Sequence, residues 1–162
     1  MGKLNLASML ATPVTASDQA QLNPYGVDAI RHLPNAGICV WGARTLSLDP
    51  LWQYVNVRRL MIFIEQSIKQ SLHWAVFQPN GQKLWSEISR EISSFLTAQW
   101  RDGALVGKTS AEAFYVKVDA SNNPPESMAQ GYLHVDMGVA PIRPAEFVVI
   151  RVAQLMEVSK AA

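Results

Sequence analysis

Charge and cysteine are what this chain has least of. Charged residues make up 17% of it, against about 25% in an ordinary soluble domain. Such a deficit excludes a disordered or highly charged protein, and it implies that part of the surface is covered by something other than water. Fourteen Lys and Arg against thirteen Asp and Glu leave a formal charge of +1. No basic block exists to track a phosphate backbone, so nucleic acid is not expected as a partner. The lone cysteine, Cys39, excludes an internal disulfide, and no Cys/His spacing suits a metal. Neither an oxidised mini-scaffold nor a zinc module fits, and synthesis inside the cell is expected. The amino terminus, MGKLNLASMLATPVTAS, has a short apolar stretch broken by Asn5 and Ser8, which falls short of a signal peptide. The longest apolar run, Leu60 to Ile64, lies between Arg59 and Glu65, far below the roughly 20 residues that membrane insertion by a helix requires.

What is present suits one hydrophobic core in 162 residues. Residues 1–24 lack periodicity, end at Asn23-Pro24 and read as an arm or linker, with order expected from Tyr25. Leu4, Leu6 and Met9 leave two readings of that arm open, a strand or a leader. Val27–Leu33 and Gly37–Trp41 read as two strands joined at Pro34-Asn35-Ala36. Asp49-Pro50 opens a short turn through Trp52. Apolar residues at Val57, Leu60, Met61, Ile64 and Ile68 predict a helix, with Glu65 and Lys69 spaced as a favourable pair. Trp74–Phe77 reads as a buried strand ending at Pro79-Asn80-Gly81, which would complete a strand, helix, strand unit. A second helix is predicted from about Lys83 to Arg101, with Trp85, Ile88, Ile92, Phe95, Leu96 and Trp100 on one stripe and Gly103 as its stop.

Three further strands are predicted: Ala113–Val118, Tyr132–Val139 and Ala145–Ala153, the first two separated by a loop at Asn122-Asn123-Pro124-Pro125. Leu133, Val135 and Met137 should face inward on the second. Phe147, Val148, Val149 and Ile150 are apolar on both faces, as a strand enclosed within a sheet would be. The connector before them contains Pro141 and Pro144, each restricting the backbone to extended conformations, so a tight hairpin is not expected. Such a strand either crosses over within its own sheet or completes the sheet of another molecule. The expected class is α+β with an α/β-like core, a mixed sheet packed against two amphipathic helices, and terminal arm strands available for exchange. The expected division is an arm at 1–24, a core at 25–140 and an extended C-terminal arm at 141–162.

Residues that could carry chemistry are few. Gly103-Ala-Leu-Val-Gly107-Lys108-Thr109 has one residue too few between its glycines for a phosphate-binding loop, and it follows a helix instead of a strand. Thr109 and Glu112 read better as a capping box. His32, His73 and His134 are far apart, and Cys39 beside Val40 and Trp41 reads as a buried, inert thiol. Glu87 and Glu91 share a polar helix face with Arg90. No catalytic residues, cofactor or metal are expected.

Val40-Trp-Gly-Ala-Arg-Thr-Leu46, Asp49-Pro50, Tyr54-Val-Asn-Val-Arg-Arg-Leu60 and Gly138-Val-Ala-Pro141 followed by Pro144-Ala-Glu-Phe-Val148 resemble the C-terminal domain of contractile tail sheath proteins of phages, R-type bacteriocins and related injection systems. Between them, Val76-Phe77 with Pro79-Asn80, Leu84-Trp85, Trp100 with Gly103-Ala-Leu105, and Val116-Lys117 follow the same order, so the resemblance covers about residues 22–155. It implies a non-enzymatic structural subunit that polymerises helically around an inner tube and contracts to drive it through a target envelope. It also implies terminal arms that add strands to neighbouring subunits, here Phe147–Ile150 beyond the Pro141 and Pro144 hinge. Trp41, Gly42, Arg44, Asn56, Arg58, Arg59, Trp85 and Trp100 are the residues at the core of the family motif. The implied partners are neighbouring sheath subunits, the inner tail tube protein and baseplate or terminator proteins, in a virion tail or phage-tail-like particle assembled in the bacterial cytoplasm. Family members usually carry a longer N-terminal arm and outer domains before the matching segment. A minimal sheath, a remnant, a terminal component and a fragment therefore stay open, as does the alternative of a short sheath-like cap or regulator of assembly.

Overall fold

The 3.6-residue period of Val57 to Ile68 forms helix α2, Val55–Ser71, and the longer stripe after Gly81 forms α3, Gln82–Arg101. This is a computed structural model, and it describes residues 2–5, 7 and 9–146. Helix α3 is the centre of the body. Its Leu84, Trp85, Ile88, Ile92 and Leu96 are buried against Ile64 and Ile68 of α2 and against Val118. Gly103 adopts φ 79° one residue past the cap, where the left-handed backbone ends the helix without a side-chain clash.

Two strands cover this helical pair. Strand β4, Phe114–Lys117, pairs antiparallel with β5, Asp136–Val139, in the register Phe114↔Val139 to Lys117↔Asp136. Leu133, Val135, Met137 and Val139 all pack on the core, as their alternation predicts. The ladder is nevertheless shorter than the predicted Tyr132–Val139 strand. At its missing end a side chain does a strand's work: Asn123, almost fully buried, accepts from the His134 N–H at 2.7 Å and donates to the His134 carbonyl at 2.9 Å. The loop expected at 122–125 continues into a short helix, Pro125–Ala129. The single helical turn Ser110–Ala113 lacks the expected Thr109 side-chain cap. The Glu112 carboxylate instead accepts from the Lys108 N–H at 2.9 Å.

The remaining strands form a separate antiparallel sheet. Strand β2, Ala29–Leu33, and strand β3, Gly37–Trp41, are a hairpin, with Asn35 at φ 66° in the turn. Gly2–Lys3, strand β1, pairs with the other side of β3, and the Leu4 N–H continues the ladder to Ile38 at 2.9 Å. The strand reading of Leu4 is thus supported within the segment read as an arm, whereas Leu6 lies outside the described residues. The same segment also holds an unexpected helix, α1, Ala16–Leu22. Thr15 and Asp18 cap it reciprocally, the Thr15 hydroxyl accepting from the Asp18 N–H and the Asp18 carboxylate from the Thr15 N–H.

The α+β class holds, with the described strands in two small antiparallel sheets, ordered β1-β3-β2 and β4-β5. The strand expected at Trp74–Phe77 is absent. Leu72–Ala75 is a 3₁₀ turn, and Phe77 takes φ 67°, which no extended strand accommodates. The strand, helix, strand unit fails with it. No helix among the described residues is long and apolar enough to cross a membrane.

Candidate functional site

Two motif segments 102 residues apart meet at one ion pair. The Arg44 guanidinium donates from Nε to both Glu146 carboxylate oxygens, at 2.9 and 3.2 Å, and from Nη2 to the same carboxylate. Both side chains are largely shielded, 13% and 14% exposed. The Tyr54 hydroxyl also reaches Glu146 at 3.3 Å, and Arg44 Nη1 donates to the Asn23 carbonyl at 3.3 Å. Glu146 therefore has its carboxyl held below the usual carboxylate range, chiefly by the hydrogen bonds from Arg44, and the Arg44 value is raised by the same contact.

The backbone around Arg44 explains how it is aimed. The Arg44 N–H donates to Asp28 Oδ1 at 3.1 Å, and the segment around it pairs with the entry to α2 through Thr45 N–H to the Gln53 carbonyl, 2.7 Å, and Val55 N–H to the Ala43 carbonyl, 3.0 Å. Gly42 permits this approach, because a Cβ there would lie 2.1 Å from Asp28 Oδ1. The connector ahead of Glu146 is equally tied. Pro141 bridges Leu105, the Ile142 N–H donates to the Ala104 carbonyl at 3.1 Å, and Asn56 Nδ2 donates to the Ile142 carbonyl at 3.0 Å. Residues 140–146 thus run from the helical body to the β3 sheet with no hairpin, as the two prolines predict.

Beside the ion pair lies a groove of about 590 Å³ between α1 and β3, reached by Trp41 and Pro144. Its Gln19 is buried, and Oε1 has no hydrogen-bond partner among the described residues. An acceptor left this way is costly unless something arrives to donate to it.

The other motif residues are mostly structural. Trp85 is buried and donates to Asn80 Oδ1 at 2.8 Å, Trp100 donates to the Gly107 carbonyl at 2.9 Å, and the Arg58 guanidinium stacks 4.9 Å from the Trp52 ring centroid. Trp41, Asn56, Arg58 and Arg59 are exposed. Phe147, Val148, Val149 and Ile150 lie outside the described residues. Glu146 and Gln19 were missed by the sequence reading. Glu146 had a signal, an acid in one motif opposite the arginine of the other, whereas nothing marked Gln19.

The other residues weighed for chemistry each have structural contacts. Cys39 is fully buried, its thiol directed at the Ala36 and Gly37 carbonyls. Four backbone N–H groups of Gly103–Thr109 are already engaged, Gly103 with Trp100, Ala104 with Gln99, Val106 with Ala140 and Lys108 with Glu112. Glu91 accepts from Trp74 Nε1 at 3.0 Å, so it braces a turn and is more than a solvated charge. Among the described residues, no group of His, Cys, Asp and Glu could hold a metal ion.

The described residues thus form an α+β module in which the β1-β3-β2 sheet has β1 and β2 at its edges and the connector is held by the Arg44–Glu146 pair. Residues 47–154, two thirds of the chain, match the profile of the phage tail sheath C-terminal domain. The chain belongs to that family. It is 28% identical over 134 residues to the tail sheath protein of Burkholderia phage BcepMu, covering 81% of this chain and 26% of that protein. Among solved structures, it resembles a chain of the anti-feeding prophage baseplate with a TM-score of 0.89 and 38% identity, covering 95% of this chain and 43% of that one. The anti-feeding prophage helical sheath in its contracted state gives a TM-score of 0.86 at 38% identity, over 94% of this chain and 43% of that chain. The chain therefore spans about a quarter of the curated relative's length and less than half of the structural neighbours' chains.

Proposed function

We propose that this chain acts as a structural subunit of a contractile tail sheath, polymerising around an inner tube in a tail or tail-like particle and contracting to drive the tube through an envelope. Linkage between subunits is by strand addition, with Phe147–Ile150 as the donated strand, Pro141 and Pro144 as its stiff lead, and residues 1–24 and 141–162 as the arms of a 25–140 core. The observation that carries this reading is the Arg44–Glu146 pair. It pins the root of the C-terminal segment one residue before Phe147, so a pull on the arm is resisted by a shielded bidentate contact. The outer edges of β1 and β2, uncovered among the described residues, and the Gln19 acceptor beside the pin support it, since an incoming extended backbone supplies donors. Assembly requires no catalysis. The tube and baseplate or terminator proteins are the further partners.

The test is a chain ending at Glu146, compared with the full chain by electron microscopy and circular dichroism. The full chain is expected to form tubes or rings, and the shortened chain to keep its helical signal and lose them. Tubes from the shortened chain would reject the donated strand. Shortening of full-length sheath polymers at substoichiometric amounts, without tubes of its own, would favour the cap or regulator instead.

A further inference from the structure

Asparagine followed by glycine is the pair most open to spontaneous loss of ammonia, because no side chain shields the next backbone nitrogen from the carboxamide carbon. The chain has seven asparagines, and only Asn80 is followed by glycine. Asn23 and Asn123 precede prolines, whose nitrogen has no proton to lose. Asn56 precedes the branched and buried Val57. The nitrogens after Asn35 and Asn122 are engaged: the Ala36 N–H donates to the Leu33 carbonyl at 3.2 Å, and the Asn123 N–H to the Asp119 carbonyl at 3.0 Å. The Gly81 N–H donates to no described residue, and a Cβ built on Gly81 would meet nothing within 4 Å beyond its chain neighbours. The nucleophile beside Asn80 is therefore open.

The same carboxamide is also a clasp. Its Oδ1 accepts from the buried Trp85 indole N–H at 2.8 Å, and its Nδ2 donates to the Tyr132 carbonyl at 2.9 Å. Trp85 stands near the start of α3 inside the core cluster, whereas Tyr132 lies ahead of β5. One side chain thus fastens the loop between α2 and α3 to two parts of the body. The bond from Trp85 draws electron density toward Oδ1 and leaves Cγ more electrophilic. Together the two bonds hold the group against the rotation that ring closure needs, so reaction waits on a local opening.

We infer that Asn80 is a self-modification site, converting slowly in the folded chain to aspartate and isoaspartate and thereby opening the clasp. The Gly81 nitrogen gives its proton to solvent base and bonds to Asn80 Cγ; the Cγ–Nδ2 bond breaks, and Nδ2 leaves as ammonia from the resulting cyclic imide. Water then opens the ring. Attack at Cγ restores the ordinary main chain with an aspartate side chain, and attack at the main-chain carbonyl carbon leaves isoaspartate. Aspartate still accepts from Trp85 but has no N–H for the Tyr132 carbonyl, which then faces a second acceptor in place of a donor. Isoaspartate adds a methylene to the main chain directly before Gly81, whose carbonyl accepts from the Trp85 N–H at 3.1 Å to start α3. No step depends on assembly, so the site is independent of the sheath-subunit reading.

Incubation of the full chain in mildly alkaline buffer, followed by tryptic digestion and mass spectrometry, tests the site. The peptide released between Lys69 and Lys83 carries Asn80 and no other asparagine. In the native chain Asn80 is expected to be the first asparagine to gain the deamidation mass, at about a tenth or less of its rate in urea, where the clasp is absent. Gly81→Ala is expected to slow the native reaction about tenfold or more. Its φ of −164° is ordinary extended backbone and the space around it is open, so the added methyl leaves the fold intact. Asn80→Asp, made directly, should keep the helical signal and speed amide exchange at Tyr132 and Leu133 by roughly threefold or more. No product at Asn80 in the native chain, an equal rate in urea, another asparagine reacting first, or an unslowed Gly81→Ala overturns the site. Unchanged exchange in Asn80→Asp overturns the opening of the clasp.

Discussion

The helical body and the β1-β3-β2 sheet are built on different physical terms. In the body, α3 alone buries Leu84, Trp85, Ile88, Ile92 and Leu96 in a cluster that also takes in α2 and, at its margin, β4 and β5. The sheet contributes no residue to that cluster. It buries Ala29, Ile38 and Cys39, leaves Ile30 and Trp41 exposed, and holds the connector through an ion pair and polar backbone contacts. A close-packed apolar body depends on side-chain burial, whereas a small sheet whose edges are uncovered among the described residues depends more on its polar contacts.

The contrast can be broken at three places. Leu96→Ala, in the fully buried centre of the body, should cost about 2–5 kcal/mol in a denaturant titration, because the space cannot collapse. The same truncation at Ile30, 45% exposed on the sheet, should cost less than about 1 kcal/mol. Equal losses would mean that sheet and body unfold on one common core. An effect smaller than that at Leu96 is expected at the sheet's exit. Gly42→Ala puts a Cβ within 2.9 Å of the Asp28 backbone as well as onto its carboxylate, and should cost about 1–3 kcal/mol while freeing the Arg44 N–H to exchange faster.

A modest global effect is expected for Glu146→Gln, about 1–2 kcal/mol at neutral pH, between an exposed and a fully buried pair. Its signature is in the pH dependence. Because the folded-state pKa of Glu146 is depressed, the pair contributes fully above the unfolded carboxylate value and is lost as pH falls through the folded value. Unaltered protein should therefore loosen its C-terminal segment to protease as acid is added, while Glu146→Gln is already loose and changes little over the same range. Identical protease profiles for the two would show that the pair does not hold the segment's root.

How far the fold was legible follows from how local each cause is. Helices α2 and α3 were readable because their periods are written within a few turns, and Asn35 and Gly103 mark a turn and a stop at the residues that need positive φ. Trp74–Phe77 was misread because a short apolar run does not say whether it is buried, and its Phe77 faces outward. Helix α1 is only seven residues long, too short for a visible period, although Thr15 and Asp18 carried the spacing of its cap. The first part of the predicted Tyr132–Val139 strand was lost to Asn123, a residue that reads as loop and serves as a surrogate strand. Of the site, Arg44 was named from its motif while its partner was not, since a contact across 102 residues leaves no periodic trace.

Sequence alone determined the α+β composition, the two amphipathic helices, the extended two-proline connector and the sheath-family motifs. Each of these rests on short-range spacing or backbone restriction, which a linear reading contains. Tertiary structure decided that Arg44 and Glu146 meet, that Gln19 has no partner for its acceptor among the described residues, and that Phe77 is left exposed. Those are matters of which surfaces the packed body leaves uncovered, and packing of distant segments has no counterpart in their spacing along the chain.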